Sequence, residues 1–224
     1  MGSPRMRLAV LASGSGTNLQ AILDACREPA FPAEVAAVAS NVPGAQALAR
    51  AARAGVPAVC VPHRGQPGRE AHERAVLEAL APHGPCGLLV LAGYMRVLSP
   101  LVLRAFRRPD GLPGVVNIHP ADTRAYQGAH GYEFALGLVP GRPARLAETR
   151  VTVHFVDEGV DTGPIIAQRP VEVRPGDDLE ALRARGLGVE HRLYPEAIRW
   201  IAEGRVRLEG GRVLVDGRDW EARP

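Results

Sequence analysis

The sequence predicts an open, doubly wound α/β sheet, mostly parallel, with an antiparallel C-terminal extension. Three observations predict it. Short apolar runs alternate with helical patterns through the first half, which is the rhythm of parallel strands joined by crossover helices. A glycine-rich turn links the first apolar run to the first helical pattern. In the second half, two strand-like runs follow one another across a short polar loop, as an antiparallel pair does.

In chain order, the first strand covers residues 8–12 and leads through Ser13 to Asn18 into a helix whose apolar face is Leu19, Ile22, Leu23 and Cys26. Strands follow at 35–40, 58–61, 88–91 and 115–118. Helices are expected at 45–54, stopped by Gly55, and at 69–80, stopped before Pro82. Ser99 followed by Pro100 reads as a helix cap with proline in the first turn, so a short helix carries 101–106. Strands at 152–155 and 165–173 form the antiparallel extension. Asp177 and Asp178 then suit the positive end of a long helix over 179–201, with Gly186, Gly188 and Pro195 expected to bend it. A hairpin pairs 206–208 with 213–215 around Glu209, Gly210, Gly211 and Arg212.

The pattern as a whole is Rossmann-like, and at 224 residues one domain is expected. Within it, residues 1–6 read as a flexible N-terminus, 7–120 as a phosphate-binding parallel half, 121–202 as the second half and 203–224 as a hairpin tail. Composition excludes several classes. No apolar run approaches the roughly 18 residues of a membrane span, and 8–12 is too short for a signal-peptide core. A soluble, cytoplasmic protein is therefore expected, with no membrane partner. All 27 Lys+Arg residues are arginine, which removes Schiff-base lysines, pyridoxal-phosphate anchors and Walker-type loops. The net charge of +3 comes from scattered arginines without a basic tract, so no nucleic-acid face is predicted. Cys26, Cys60 and Cys86 are far apart and read as buried thiols.

The loop Ser13-Gly14-Ser15-Gly16-Thr17-Asn18 presents free amides at a helix N-terminus, where an anion is favoured. Leu19 stands where a dinucleotide fingerprint has its third glycine, and Ser40 and Asn41 stand where a ribose-binding acid would lie. A monophosphate is the better fit. Ligands of open α/β sheets bind beyond the strand ends, and the fifth strand delivers Asn117-Ile118-His119-Pro120 there. Alternation puts Asn117 and His119 on one side, where an amide donor and a group titrating near neutrality suit acyl transfer. In the loop running from Asp157 to Pro164, Asp161 is a carboxylate able to orient His119 and favour its charged form. His119, His130, His154 and Asp161 lack the spacing of common zinc motifs, and no metal is expected.

The loop just described, Leu91-Ala92-Gly93-Tyr94-Met95-Arg96-Val97-Leu98, Asn117-Ile118-His119-Pro120, His154-Phe155-Val156 and Asp161-Thr162-Gly163-Pro164-Ile165, together and in this order, resemble the phosphoribosylglycinamide formyltransferases of purine synthesis. The resemblance runs from about residue 7 to about 200. It implies the formyltransferase fold, 10-formyltetrahydrofolate as co-substrate and donor, and the amine of a phosphorylated ribosyl glycinamide as acceptor, with small molecules as the partners and a monomer or homodimer as the assembly. It also implies Asn117, protonated His119 and Asp161 as the catalytic group. Gly16, Thr17, Asn18, Leu19, Gln20 and Glu190 would hold the acceptor. Arg69, Tyr94, Met95, Arg96, Val97 and Leu98, with Asn117 and Asp161, would hold the folate. The chain departs from the family after His119-Pro120, where Ala121, Asp122, Thr123 and Arg124 replace the usual Ser-Leu-Leu-Pro. Asp122 and Arg124 could either contact the acceptor or pair with each other. The alternative function is another 10-formyltetrahydrofolate-using transferase or hydrolase, against which the phosphate loop argues.

Overall fold

A computed structural model describes residues 4–141 and 144–219. In chain order the first half runs β1 (Met6–Ala12), α1 (Thr17–Cys26), β2 (Ala33–Ser40), α2 (Gln46–Arg53), β3 (Ala58–Cys60), α3 (Arg69–Leu80), β4 (Leu88–Leu91), α4 (Pro100–Ala105) and β5 (Val115–His119). The second half adds α5 (Gly131–Ala135), β6 (Glu148–Phe155), β7 (Ile165–Glu172), α6 (Leu179–Ala202), β8 (Val206–Glu209), β9 (Arg212–Val215) and β10 (Arg218–Asp219). The large sheet has the order β3-β2-β1-β4-β5-β6-β7. Its first five strands are parallel, and β6 and β7 join antiparallel.

Strand β1 shows why the sheet is covered on both faces. Leu8, Val10 and Ala12 point into a core shared with α1, α2 and α6, while Ala9 and Leu11 point into a second core shared with α3 and α4. A strand buried on both sides must be apolar at every position, and this one is from Leu8 onward. Between β1 and β4 the strand order reverses, and this is where an open α/β sheet leaves a crevice at its carboxyl ends. Tyr194 of α6 is fully buried beneath that edge, its hydroxyl 2.9 Å from the Leu91 carbonyl and 3.0 Å from that of Val116.

Three expectations change. Residues 1–3 of the expected flexible N-terminus lie outside the described residues, but Arg5 and Met6 are held: Arg5 donates to the carbonyls of Cys26 and Ala33, and Met6 N–H donates to Pro32 in the first bond of β1. Helix α6 runs through Gly186, Gly188 and Pro195 as one element. Gly186 answers a packing need, since a Cβ there would lie 1.9 Å from the Tyr132 hydroxyl. Cys60 is exposed on the edge strand β3, whereas Cys26 and Cys86 are half-buried and burial pushes both thiols up, Cys26 to about 11. Finally, the tail hairpin β8–β9 gains a third strand, β10, and residues 220–224 of the expected tail lie outside the described residues.

Candidate active site

A cavity of about 410 Å³ opens at the carboxyl ends of β4 and β5. Asn117 and His119 line it from β5 and Asp161 from the loop between β6 and β7. Asp161 adopts a left-handed backbone, φ 53°, which L-residues other than Asn and Asp rarely occupy. Its carboxylate is engaged on both oxygens. Oδ1 lies 3.2 Å from Asn117 Nδ2 and 3.4 Å from His154 Nε2; Oδ2 lies 3.3 Å from His119 Nδ1 and accepts the Gly128 N–H at 2.9 Å. His154 reaches this cluster because β6 pairs antiparallel with β5 in a register that sets it directly opposite Asn117. Sequence reading singled out His154 as part of a motif and missed its contact with Asp161; only the strand register reveals it.

The charges follow from this packing. Burial by itself would raise the Asp161 pKa, but the hydrogen bond with His154, the charge of His119 and the Gly128 amide outweigh it and hold the carboxyl below its ordinary value. For His119 burial is the largest influence and pushes its pKa down, against the smaller upward pull of Asp161. In the unliganded protein this lowering favours the neutral imidazole, whose Nδ1 lies 3.3 Å from the Asp161 carboxylate. Its Nε2 is buried and has no hydrogen-bond partner among the described residues.

The same cavity is lined by Asn18 and Glu190 and by all five residues from Tyr94 to Leu98. Helix α1 begins at Gly16, whose φ of 70° and close approach to Ala47 both require glycine. No side chain caps it, and its first helical bond is Gln20 N–H to the Gly16 carbonyl, so the amides of Thr17, Asn18 and Leu19 face outward from the helix end. Arg50 of α2 brings a cation to this terminus through bonds to Ser15 O and Gln20 Oε1, a neighbour that sequence spacing gave no sign of. Of the 16–20 segment, Asn18 is the residue that lines the cavity; Gly16, Thr17, Leu19 and Gln20 stand at the adjoining helix end. The end of β2 is occupied from within the protein: Asn41 accepts from the Ser13 hydroxyl at 2.6 Å, and that hydroxyl in turn accepts the Met95 amide at 3.0 Å. Arg69 is not brought to the cavity lining and sits exposed in the first turn of α3.

Asp122 and Arg124 pair with each other at 3.0 Å, and Gln168 Nε2 donates to Asp122 as well as to Thr152. These bonds clamp the divergent loop to β6 and β7. Among the described residues no group of three or more His, Cys, Asp or Glu is placed to hold a metal ion, and no helix is long and apolar enough to cross a membrane.

Residues 6–198 match the model of the formyl transferase family. The phosphoribosylglycinamide formyltransferase of Haemophilus influenzae is 37% identical over 95% of this chain and 94% of its own length. The trifunctional purine biosynthetic protein adenosine-3 of Drosophila pseudoobscura is 40% identical over 92% of this chain, which spans 14% of that protein. The crystal structure of glycinamide ribonucleotide transformylase 1 from Symbiobacterium toebii superimposes with a TM-score of 0.85, at 46% identity and covering 94% of each chain. With its mostly parallel sheet, its strand-end cavity and this extent of similarity, the chain belongs to the formyl transferase family.

Proposed function

We propose that this protein transfers the formyl group of 10-formyltetrahydrofolate to the amine of 5-phosphoribosylglycinamide, giving the formylated ribonucleotide and tetrahydrofolate, a step of purine biosynthesis. The observation that carries this reading is the convergence in one cavity of Asn117, His119 and Asp161 with Asn18 from the uncapped start of α1. A group-transfer centre thus adjoins a place for a phosphate. The relatives named for this activity support the same acceptor.

In this account the neutral amine attacks the formyl carbon, and a C–N bond forms as negative charge develops on the formyl oxygen. The Asn117 amide donates to that oxygen. His119 enters neutral and takes a proton from the attacking nitrogen at Nε2; Asp161 stabilises the resulting imidazolium. The imidazolium then delivers the proton to the departing folate nitrogen, whose bond to carbon breaks as the tetrahedral centre collapses. No covalent enzyme adduct forms.

The amides around Gly16, Thr17, Asn18, Leu19 and Gln20 take the acceptor phosphate, and Glu190 holds the acceptor within the cavity. Tyr94, Met95, Arg96, Val97 and Leu98 flank the pterin, with Asn117 and Asp161 at the formyl end. Arg69, outside the cavity, suits a carboxylate on the far end of the donor. Incubation with 10-formyltetrahydrofolate, with and without 5-phosphoribosylglycinamide, tests the reading through release of tetrahydrofolate. Release that requires the amine supports it; release without the amine identifies a hydrolase, and binding without release a folate-binding module.

A further inference from the structure

We propose that Tyr132 is a positioning residue that fixes the Glu190 carboxylate in place for the acceptor; this inference rests on the acceptor reading above. Glu190 is 5% exposed on α6 and lines the cavity, whereas Tyr132, 4% exposed on α5, stands behind it. The two carboxylate oxygens are held separately. Asn18 Nδ2 donates to Oε2 at 2.6 Å, and the Tyr132 hydroxyl donates to Oε1 at 2.6 Å. Neither donor brings a positive charge, so together they fix the orientation of the carboxylate and leave its attraction for a ligand's donors unspent.

Two further observations show that the hydroxyl is built into this place. Gly186 lies one turn before Glu190 on α6, and any Cβ there would sit 1.9 Å from the Tyr132 hydroxyl oxygen. A glycine disfavoured in a helix interior is what makes room for the phenol. Burial, followed by the charge of Glu190, pushes the Tyr132 phenol far above its ordinary range, so it stays a protonated donor.

Tyr132 also ends a short segment that touches two of the cavity's carboxylates, those of Asp161 and Glu190. Gly128 at its start gives its N–H to Asp161, and Tyr132 at its end gives its hydroxyl to Glu190. This segment follows the stretch in which the chain departs from its family's pattern. It ties the acceptor-holding carboxylate and the carboxylate of the transfer centre to one piece of backbone.

The test is Tyr132→Phe, which keeps the ring and its packing. The KM for 5-phosphoribosylglycinamide is expected to rise about tenfold or more, the scale of a lost hydrogen bond to a charged group, with kcat within about twofold and the donor KM unchanged. In a Glu190→Gln background the same substitution is expected to change acceptor KM less than about twofold, because the hydroxyl acts through that carboxylate. Gly186→Ala, which displaces the hydroxyl without removing it, is expected to raise acceptor KM selectively and stands in if Tyr132→Phe does not fold. Calorimetric titration with 5-phosphoribosylglycinamide alone gives the binding change without turnover. An unchanged acceptor KM in Tyr132→Phe, or an equal loss in both backgrounds, overturns the inference while wild-type activity leaves the acceptor reading standing. A wild-type protein that neither binds nor formylates this acceptor overturns both.

Discussion

Nδ1 of His119 lies 3.3 Å from Oδ2 of Asp161, and that carboxylate is itself fixed by Asn117, His154 and the Gly128 amide. The pair therefore has a set direction before any ligand arrives. Nδ1 of His119 is directed at the carboxylate, and Nε2 is left without a protein partner in a buried position. In the proposed reaction, a base oriented in this way accepts a proton on its Nε2 side.

Replacing Asn117 with alanine removes the amide proposed to donate to the developing oxyanion. The Asn117→Ala protein is expected to melt near the wild-type temperature and to lose at least about a hundredfold in kcat, on the order of 3 kcal/mol of transition-state stabilisation. Steady-state kinetics at saturating donor and acceptor checks this, and turnover near wild type removes Asn117 from the chemistry.

Burial lowers the His119 pKa and Asp161 partly restores it. An NMR titration of the imidazole in the unliganded protein should therefore give a midpoint below the ordinary 6.5. In Asp161→Asn, where the restoring charge is gone, the midpoint should move lower still. A midpoint above 6.5 in the wild type would mean that His119 starts as an acid.

The Tyr194 hydroxyl serves the carbonyls of Leu91 and Val116 at the strand ends beneath the cavity. Tyr194→Phe leaves both acceptors buried without this donor, at a cost of about 1 kcal/mol in urea unfolding. Unchanged stability would show that the bond contributes nothing net.

Arg69 is exposed and outside the cavity, so its charge acts through solvent. Arg69→Ala should raise the donor KM by no more than about fivefold, the scale of an exposed ion pair, and the effect should shrink with added salt. A large fall in kcat would place this residue closer to the reaction than the structure does.

Most of the fold is legible because its signals are local. Strand β4 and helix α3 follow the predicted bounds, since an apolar run bordered by Gly87 and Gly93, and a periodic face ending before Pro82, need no tertiary information. Helix α5 was missed because five residues are too few for a period to show, and its preceding residue, His130, enters through a left-handed φ of 75° that sequence does not signal. The packing role of Gly186 was not legible because its reason, the Tyr132 hydroxyl, lies 54 positions away in the chain. The lowered pKa of His119 was not legible for a related cause: the neighbouring carboxylate is visible in a motif, whereas the depth of burial that outweighs it exists only once the chain is folded. The pairing of Asp122 with Arg124, one of two open alternatives, is present in the structure.

The central claim is that Asp161 supports His119 during formyl transfer, and it is tested most directly by comparing kcat for the wild type and Asp161→Asn with both substrates saturating. A fall of at least about a hundredfold in a protein that remains folded is the result expected when a group supporting the proton-transferring residue is neutralised. Turnover within a fewfold of wild type would contradict the assignment.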